Sequence, residues 1–133
     1  MADHDTTPLP TDPPADLWPT IDALHAWLER DESVAGREGL LLRMLKLSEE
    51  VGEVAEAVIG AVGQNPRKGV SHSWDDVRAE LCDVVVTALV ALRTLTPEPR
   101  EVLTRHLSEV AARSLTAGGE SAAEQPGQAQ SRV

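Results

Sequence analysis

Apolar residues recur every three or four positions over most of this chain, the spacing that predicts amphipathic helices. Four helices are predicted, over residues 21–30, 38–62, 74–95 and 97–114. The stretch Gly63-Gln64-Asn65-Pro66 ends the second helix, and Ser73 followed by Asp76 predicts a capping box at the start of the third. The valine run 84–86 is not bracketed by turn residues, so we expect an all-α fold. Because the connections are short, the helices should form a four-helix bundle.

The two ends of the chain differ from this helical pattern. Residues 1–16 are rich in Pro, Asp and Thr, and residues 116–133 form a low-complexity tail without an apolar period. We expect both ends to be disordered because they offer too little apolar surface to bury. With 133 residues in all, the chain is then one helical domain over residues 17–115.

The third predicted helix is the most apolar. Across Leu81–Leu92, Asp83 is the only charged side chain, and apolar residues occupy more than one side of the helix. This pattern predicts a central, buried helix with part of its surface covered by another subunit, so we expect a homodimer or homotetramer. The run is too short to cross a bilayer, which needs roughly 20 apolar residues, and we expect no membrane association.

The chain is strongly acidic and poor in aromatic residues. Its net charge of −10 argues against a nucleic-acid partner, since a phosphate backbone requires a basic face. The single cysteine, Cys82, excludes an internal disulfide and is typical of a reducing compartment. The N-terminus shows no apolar segment typical of a signal peptide, so we expect a cytoplasmic protein. Trp27 belongs to the apolar stripe of the first helix and is expected in the core.

Two pairs of acidic residues share one spacing, Glu50 with Glu53 and Glu80 with Asp83. Acids three residues apart lie one above the other on a helix, and both pairs border apolar faces. If the second and third helices pack antiparallel, the four carboxylates meet, and a cation is needed to hold them ionised. Oxygen ligands without Cys or His at ligand spacing favour Mg²⁺, or Mn²⁺, over zinc. The expected core stripe beside the first pair is Leu47, Val51, Val54 and Val58.

The sequences around these acids are KLSEEVGEVAEA, residues 46–57, and ELCDVV, residues 80–85. In them, and over roughly residues 18–115, the chain resembles the MazG-like all-α nucleoside triphosphate pyrophosphohydrolase superfamily, whose signature is E-x-x-E, a gap, then E-x-x-D. The resemblance implies an oligomeric helical bundle that uses Mg²⁺ or Mn²⁺ to hydrolyse a nucleoside triphosphate to the monophosphate and pyrophosphate, a house-cleaning activity on nucleotide pools. Carried over by position, the expected metal ligands are Glu50, Glu53, Glu80 and Asp83, and the expected general base is Glu49.

Substrate contacts are expected from basic and aromatic side chains near the acids. Lys46 lies one turn before the first pair, and Arg67 and Lys68 lie on the loop between the second and third helices. All three side chains can donate charge-assisted hydrogen bonds to phosphate oxygens. Trp74, at the start of the third helix, either stacks on a base or packs within the protein, and His72 has the same two interpretations.

The chain departs from the superfamily pattern after the last acid. Many members have Asn or Tyr within two turns of it, where this chain has Thr87 and Val90. This difference leaves the recognised nucleotide open and supports an alternative function, a non-catalytic relative that binds nucleotide and metal as a sensor or partner subunit. A third interpretation is a structural bundle whose acids are solvated surface, which predicts no stabilisation by Mg²⁺. Two matched pairs, one of them in an apolar run, favour the metal site.

Overall fold

The computed structural model describes residues 17–31 and 36–120, and it contains the four predicted helices. Their bounds are α1, Leu17–Asp31; α2, Gly36–Val62; α3, Trp74–Leu95; and α4, Pro99–Glu120. Within these ranges no residue is in a β-strand. The expected all-α fold is therefore confirmed for the described part of the chain.

Three of the four helices are longer than the sequence predicted. α2 begins at Gly36 rather than at residue 38, and α4 begins at Pro99 rather than at Pro97 because the second proline takes the first helical position. α1 begins at Leu17 rather than at residue 21, and its Pro19 lies in the first turn, where the missing N–H has no helical partner to lose. α4 continues to Glu120 rather than ending at Ser114, so the first residues of the predicted tail are helical. The expected disorder of residues 1–16 and 121–133 falls outside the described residues.

α2 and α3 pack against each other in antiparallel orientation. At one end, the backbone N–H of Ser71, just before α3, donates to the carbonyl of Gly60 near the end of α2 over 3.0 Å. At the other end, Nη1 of Arg43 donates to Oγ1 of Thr94 over 3.0 Å. The connection between them turns at Gly69, whose φ of 62° lies in the left-handed region that favours glycine.

Ser73 caps the N-terminus of α3, as predicted. Its hydroxyl accepts from the backbone N–H of Asp76 at 3.2 Å, and the Asp76 carboxylate accepts from the backbone N–H of Ser73 at 2.6 Å. These hydrogen bonds hold the pKa of the Asp76 carboxyl below its usual range. The capping box therefore fixes where α3 begins.

α1 packs on α3, and the main apolar cluster lies between these two helices. Ile21 is fully buried against Leu89 and Val90, and the side chains of Trp18, Leu24 and Leu28 pack around this cluster. Nε of Arg93 donates to Oδ1 of Asp22 over 2.6 Å at the edge of the contact. α3 is thus the helix that contacts both α1 and α2.

α3 contacts both α1 and α2, but part of its apolar surface is exposed in the described chain. Its buried residues are Val77, Leu89, Val90 and Ala91, whereas Leu81 and Val85 are about half exposed. The reason is that α1 and α2 cover two faces of α3 and leave a third uncovered.

The predicted core stripe of α2 needs a correction. Val51 is half exposed, and its three stripe neighbours are only partly buried. The residues that α2 buries instead are Gly39, Glu50, Ala57 and Gly60. Trp27 of α1, expected in the core, is 52% exposed. The difference in α2 arises because its face that packs on α3 runs through Glu50 and Ala57, beside the apolar stripe.

α4 belongs to a second compact unit, Glu98–Val133. The helix begins at Pro99, a residue that is favourable in the first helical turn. The hydroxyl of Ser108 donates to the carbonyl of Thr104 over 3.0 Å. None of the four described helices combines the length and the apolarity that crossing a membrane requires.

Candidate metal and nucleotide site

Three acidic side chains from α2 and α3 come together. Glu50, Glu80 and Asp83 each offer a carboxylate oxygen, and these oxygens all lie within 4.8 Å of one another. The antiparallel packing produces this arrangement because it places the middle of α2 beside the first half of α3. We call these three residues the acidic cluster.

The acidic cluster contains a buried carboxylate, but a different one from that expected. Glu50 is only 8% exposed, and no other charged residue in the described ranges is classed as buried. Asp83, expected to be the enclosed acid because its neighbours in sequence are apolar, is exposed. Helical geometry explains the correction, since α3 presents Val84 rather than Asp83 more fully to its neighbours.

Lys46 neutralises part of the charge of the acidic cluster. Its Nζ lies 2.9 Å from Oε1 of Glu50 and 3.0 Å from Oε2 of Glu49. These two contacts, the one to Glu50 foremost, raise the pKa of Lys46. The buried carboxylate of Glu50 is therefore held by a lysine on its own helix.

Glu53 lies at the edge of the acidic cluster. It is exposed, and it is not among the three residues whose oxygens converge. The charge of Glu50 raises the pKa of the Glu53 carboxyl, with partial desolvation and the charge of Glu80 adding to the effect. Glu53 is thus close enough to feel the field of the acidic cluster, and a cation there would relieve the repulsion.

The residues present suit a hard divalent cation. Mg²⁺ and Mn²⁺ prefer carboxylate oxygens, and Mg²⁺ in particular is usually held by a few carboxylates together with waters and substrate phosphates. Three converging oxygens, one from a buried Glu50, provide such a donor set. The exposure of Asp83 leaves one side of the acidic cluster open to a substrate.

An apolar cavity of about 410 Å³ adjoins the acidic cluster. It lies among α1, α2 and α3 and is lined by Leu24, Trp27, Leu28, Leu42, Arg43, Lys46, Val86, Thr87, Val90 and Ala91. Lys46 connects the cavity to the acidic cluster, since its side chain lines the cavity and contacts Glu50. Thr87 links them on the other side, because it lies one turn after Asp83 on α3.

The guanidinium of Arg43 closes one wall of this cavity. Nη1 lies 2.8 Å from Oε1 of Glu29 in α1 and donates to Thr94 in α3, so one side chain ties the three helices together. Thr94 in turn donates to the carbonyl of Val90 over 3.0 Å. These contacts give the cavity a fixed polar edge beside its apolar wall.

The other predicted substrate residues lie elsewhere in the described chain. Arg67 and Lys68 are exposed on the loop before α3, where Lys68 lines a separate groove with Glu56 and His72. Trp74 is about half exposed at the first turn of α3. The apolar cavity is not lined by Arg67, Lys68, His72 or Trp74, so the contact of these residues with a nucleotide stays a prediction.

Sequence reasoning missed the role of α1 in this site. Trp27 was assigned to the core, yet it lines the cavity and keeps about half of its surface exposed. A signal was present, since Trp27 lies beside Leu28 at the edge of the apolar stripe rather than at its centre. An aromatic residue at such an edge has one face available for stacking.

A scan against protein-family models and searches of curated proteins and of solved structures found no match to this chain. The case for a function therefore depends on the residues of the site.

Proposed function

We propose that this protein is a Mg²⁺-dependent nucleoside triphosphate pyrophosphohydrolase that releases a nucleoside monophosphate and pyrophosphate. The observation that carries the proposal is the contact between Lys46 and Glu50. That contact joins three converging carboxylates to an apolar cavity large enough for a nucleoside. A cation-binding end beside an apolar end matches a nucleotide, which has a charged phosphate chain and a flat apolar base.

In this proposal the two parts of the substrate occupy different parts of the site. The phosphates lie over Glu50, Glu80 and Asp83, which hold the cation, with Glu53 at the rim. The nucleoside enters the cavity, where Trp27 offers a ring for stacking and Thr87 a hydroxyl for a hydrogen bond. Lys46 lies between the two, with its ammonium in reach of phosphate oxygens.

A bound divalent cation, Mg²⁺ or Mn²⁺, would neutralise phosphate charge and acidify an attacking water. The chain itself contributes the orientation of its carboxylates by α2 and α3 and the exclusion of water by the apolar cavity wall. Glu49 is the proposed general base. In the structure Oε2 of its carboxylate is paired with Lys46.

A specific observation favours a second candidate function. The pairing of Lys46 with Glu49 occupies the proposed base, and the turns after Asp83 carry Thr87 and Val90 rather than Asn or Tyr. A non-catalytic protein that binds nucleotide and metal, as a sensor or partner subunit, needs the acidic cluster and the cavity but no free base. Calorimetry that showed nucleotide binding without product would select this candidate.

The test is a pyrophosphate assay on the purified chain with a panel of canonical and modified nucleotides and Mg²⁺ or Mn²⁺. We expect turnover of at least one nucleotide, and loss of that turnover in Glu50→Gln and in Asp83→Asn. Glu56→Gln is the matched control, since Glu56 lies on the same helix outside the acidic cluster. The absence of turnover across the whole panel would refute the enzymatic proposal.

The proposal also includes a homodimer or homotetramer located in the cytoplasm, with no nucleic-acid or membrane partner. The exposed apolar residues Leu81 and Val85 on α3 support self-association, because rows of such residues are uncommon on an isolated subunit. The net charge of −10 supports the absence of a nucleic-acid partner.

A further inference from the structure

A row of exposed positions follows α2 from Leu41 to its end, separated alternately by four and three residues. We call it the outer seam, and it consists of Leu41, Leu45, Ser48, Gly52, Ala55, Ile59 and Val62. The four large members are 50%, 63%, 44% and 57% exposed in chain order. At about 100° per residue, the outer seam lies on the side of α2 opposite Glu50 and Ala57, which face α3.

The spacing of the outer seam indicates what kind of surface covers it. Apolar or small residues that repeat every 3.5 positions form the contact line of two helices wound around each other. Single exposed apolar residues need no explanation, but a continuous row along residues 41–62 of one helix does. The fitting occupant is therefore another helix of similar length.

The outer seam is self-complementary. Gly52 stands at its midpoint, Ser48 and Ala55 flank it as small residues, and large residues lie at both ends. In an antiparallel pair of α2 helices, Leu41 and Leu45 of one copy would meet Val62 and Ile59 of the other, and the small residues would meet at the centre. A two-fold interface requires the same surface to fit its own copy in this way.

We propose that two copies of this chain associate through their outer seams, with the α2 helices antiparallel and crossing at Gly52. The proposal deepens the homodimer proposed above by assigning it a surface on α2, separate from the exposed apolar residues of α3, and it does not depend on catalysis. Gly52, Ala55 and Ile59 of the seam line a groove together with Glu56 and Lys68, so charges of both signs lie at the edge of the seam. Glu49 lies on the flank of α2 between the seam and the acidic cluster, and the second copy therefore narrows the access to Glu49.

The other helix available in the chain fits the outer seam less well. In α4, residues at the same spacing are Leu103, Leu107, Val110 and Ser114, and Val110 is partly buried. At 1.5 Å per residue this row is about 16 Å long, whereas the outer seam is about 31 Å long. Coverage by α4 of the same chain is the alternative that the test must exclude.

The first experiment is sedimentation equilibrium of the full chain without nucleotide or metal, so that its result is independent of the proposed activity. We expect a monomer–dimer equilibrium, weakened at least about tenfold by Ile59→Lys. Gly52→Ala is the second variant, because a Cβ at Gly52 meets nothing within 4 Å in the single chain. It should keep or raise the thermal stability of the chain while weakening association. Leu115→Lys, on α4, is the control that should leave association unchanged.

The second experiment fixes the orientation by cysteine cross-linking in a Cys82→Ser background, since Cys82 is exposed. Gly52→Cys should form a disulfide between copies, because the two residues lie together at the two-fold axis. Leu41→Cys should not, because it lies at opposite ends of the antiparallel pair. A monomeric wild-type chain at all attainable concentrations would overturn the proposal. Faster disulfide formation in Leu41→Cys than in Gly52→Cys would also overturn it. The same holds if Ile59→Lys leaves the dimer intact.

Discussion

Nζ of Lys46 lies 2.9 Å from Oε1 of Glu50, so the buried carboxylate between α2 and α3 already has a cation on its own helix. The same lysine lines the apolar cavity beside Trp27. A divalent ion at the acidic cluster would therefore compete with Lys46 for Glu50 and free its ammonium toward the cavity. This relationship makes the account testable without knowledge of the nucleotide.

Mg²⁺ should stabilise the folded chain. A ligand that binds only the folded state, at a concentration 100 times its Kd, adds about 2.7 kcal/mol to the free energy of unfolding. We expect thermal unfolding at a higher temperature in MgCl₂ than in NaCl of equal ionic strength, which controls for screening of the carboxylates. The shift should disappear in Glu50→Gln and persist in Glu56→Gln. Equal unfolding temperatures in MgCl₂ and NaCl would favour the interpretation of the chain as a structural bundle.

Lys46→Met should make the chain more dependent on Mg²⁺. The substitution removes the partner of Glu50 and Glu49, so the metal-free protein should unfold at a lower temperature. The rise in unfolding temperature on adding Mg²⁺ should be larger than in wild type, because no lysine competes for Glu50. Differential scanning fluorimetry measures both quantities, with Lys68→Met as a loop-lysine control. If Mg²⁺ raised the unfolding temperature of Lys46→Met by the same amount as that of wild type, Lys46 and the cation would not compete for Glu50.

Gly60→Ala should destabilise the contact between α2 and the loop before α3. A Cβ there would collide with the ring of His72 and lie 2.7 Å from Oγ of Ser71. Overpacking of this kind costs about 1–3 kcal/mol, although alanine is the better helix former. Urea denaturation should show this loss, and His72→Ala in the same chain should recover most of it. If Gly60→Ala were more stable to urea than wild type, the loop before α3 would not pack on Gly60.

The capping box should contribute a pH dependence on the acidic side. The pKa of Asp76 is lowered in the folded state, so the unfolded chain binds the proton more tightly. The stabilisation is thus present above the unfolded value near 3.9 and is lost as the pH falls through the lower folded value. The difference in unfolding free energy between wild type and Asp76→Asn should shrink below about pH 4. A difference that stays constant between pH 6 and pH 2 would contradict this role.

The helices could be predicted from sequence because their signals are local. The apolar spacing, the Ser73 cap and the turn before Pro66 each act within a few residues, and all four helices are present in the described chain. The predicted end at Ser114 was wrong because nothing after it actively stops α4, which continues to Glu120. A composition that is poor in apolar residues does not by itself end a helix.

The candidate site could be predicted only in part. The matched spacing identified Glu50, Glu80 and Asp83, and antiparallel packing brings their oxygens together. Which acid is buried could not be inferred, because the burial of Glu50 depends on how α3 lies across α2. The place of Trp27 at the edge of the α1 stripe is a local signal of partial exposure, but its position in the cavity wall depends on how α1 packs and could not be inferred.

The most direct test of the central claim is product analysis by ion-exchange chromatography of the wild-type chain incubated with a nucleotide panel and Mg²⁺. The account predicts equal amounts of nucleoside monophosphate and pyrophosphate from at least one nucleotide, with neither product formed by Glu50→Gln. It would be contradicted if no nucleotide were hydrolysed, if diphosphate and orthophosphate appeared instead, or if Glu50→Gln produced the monophosphate as fast as wild type.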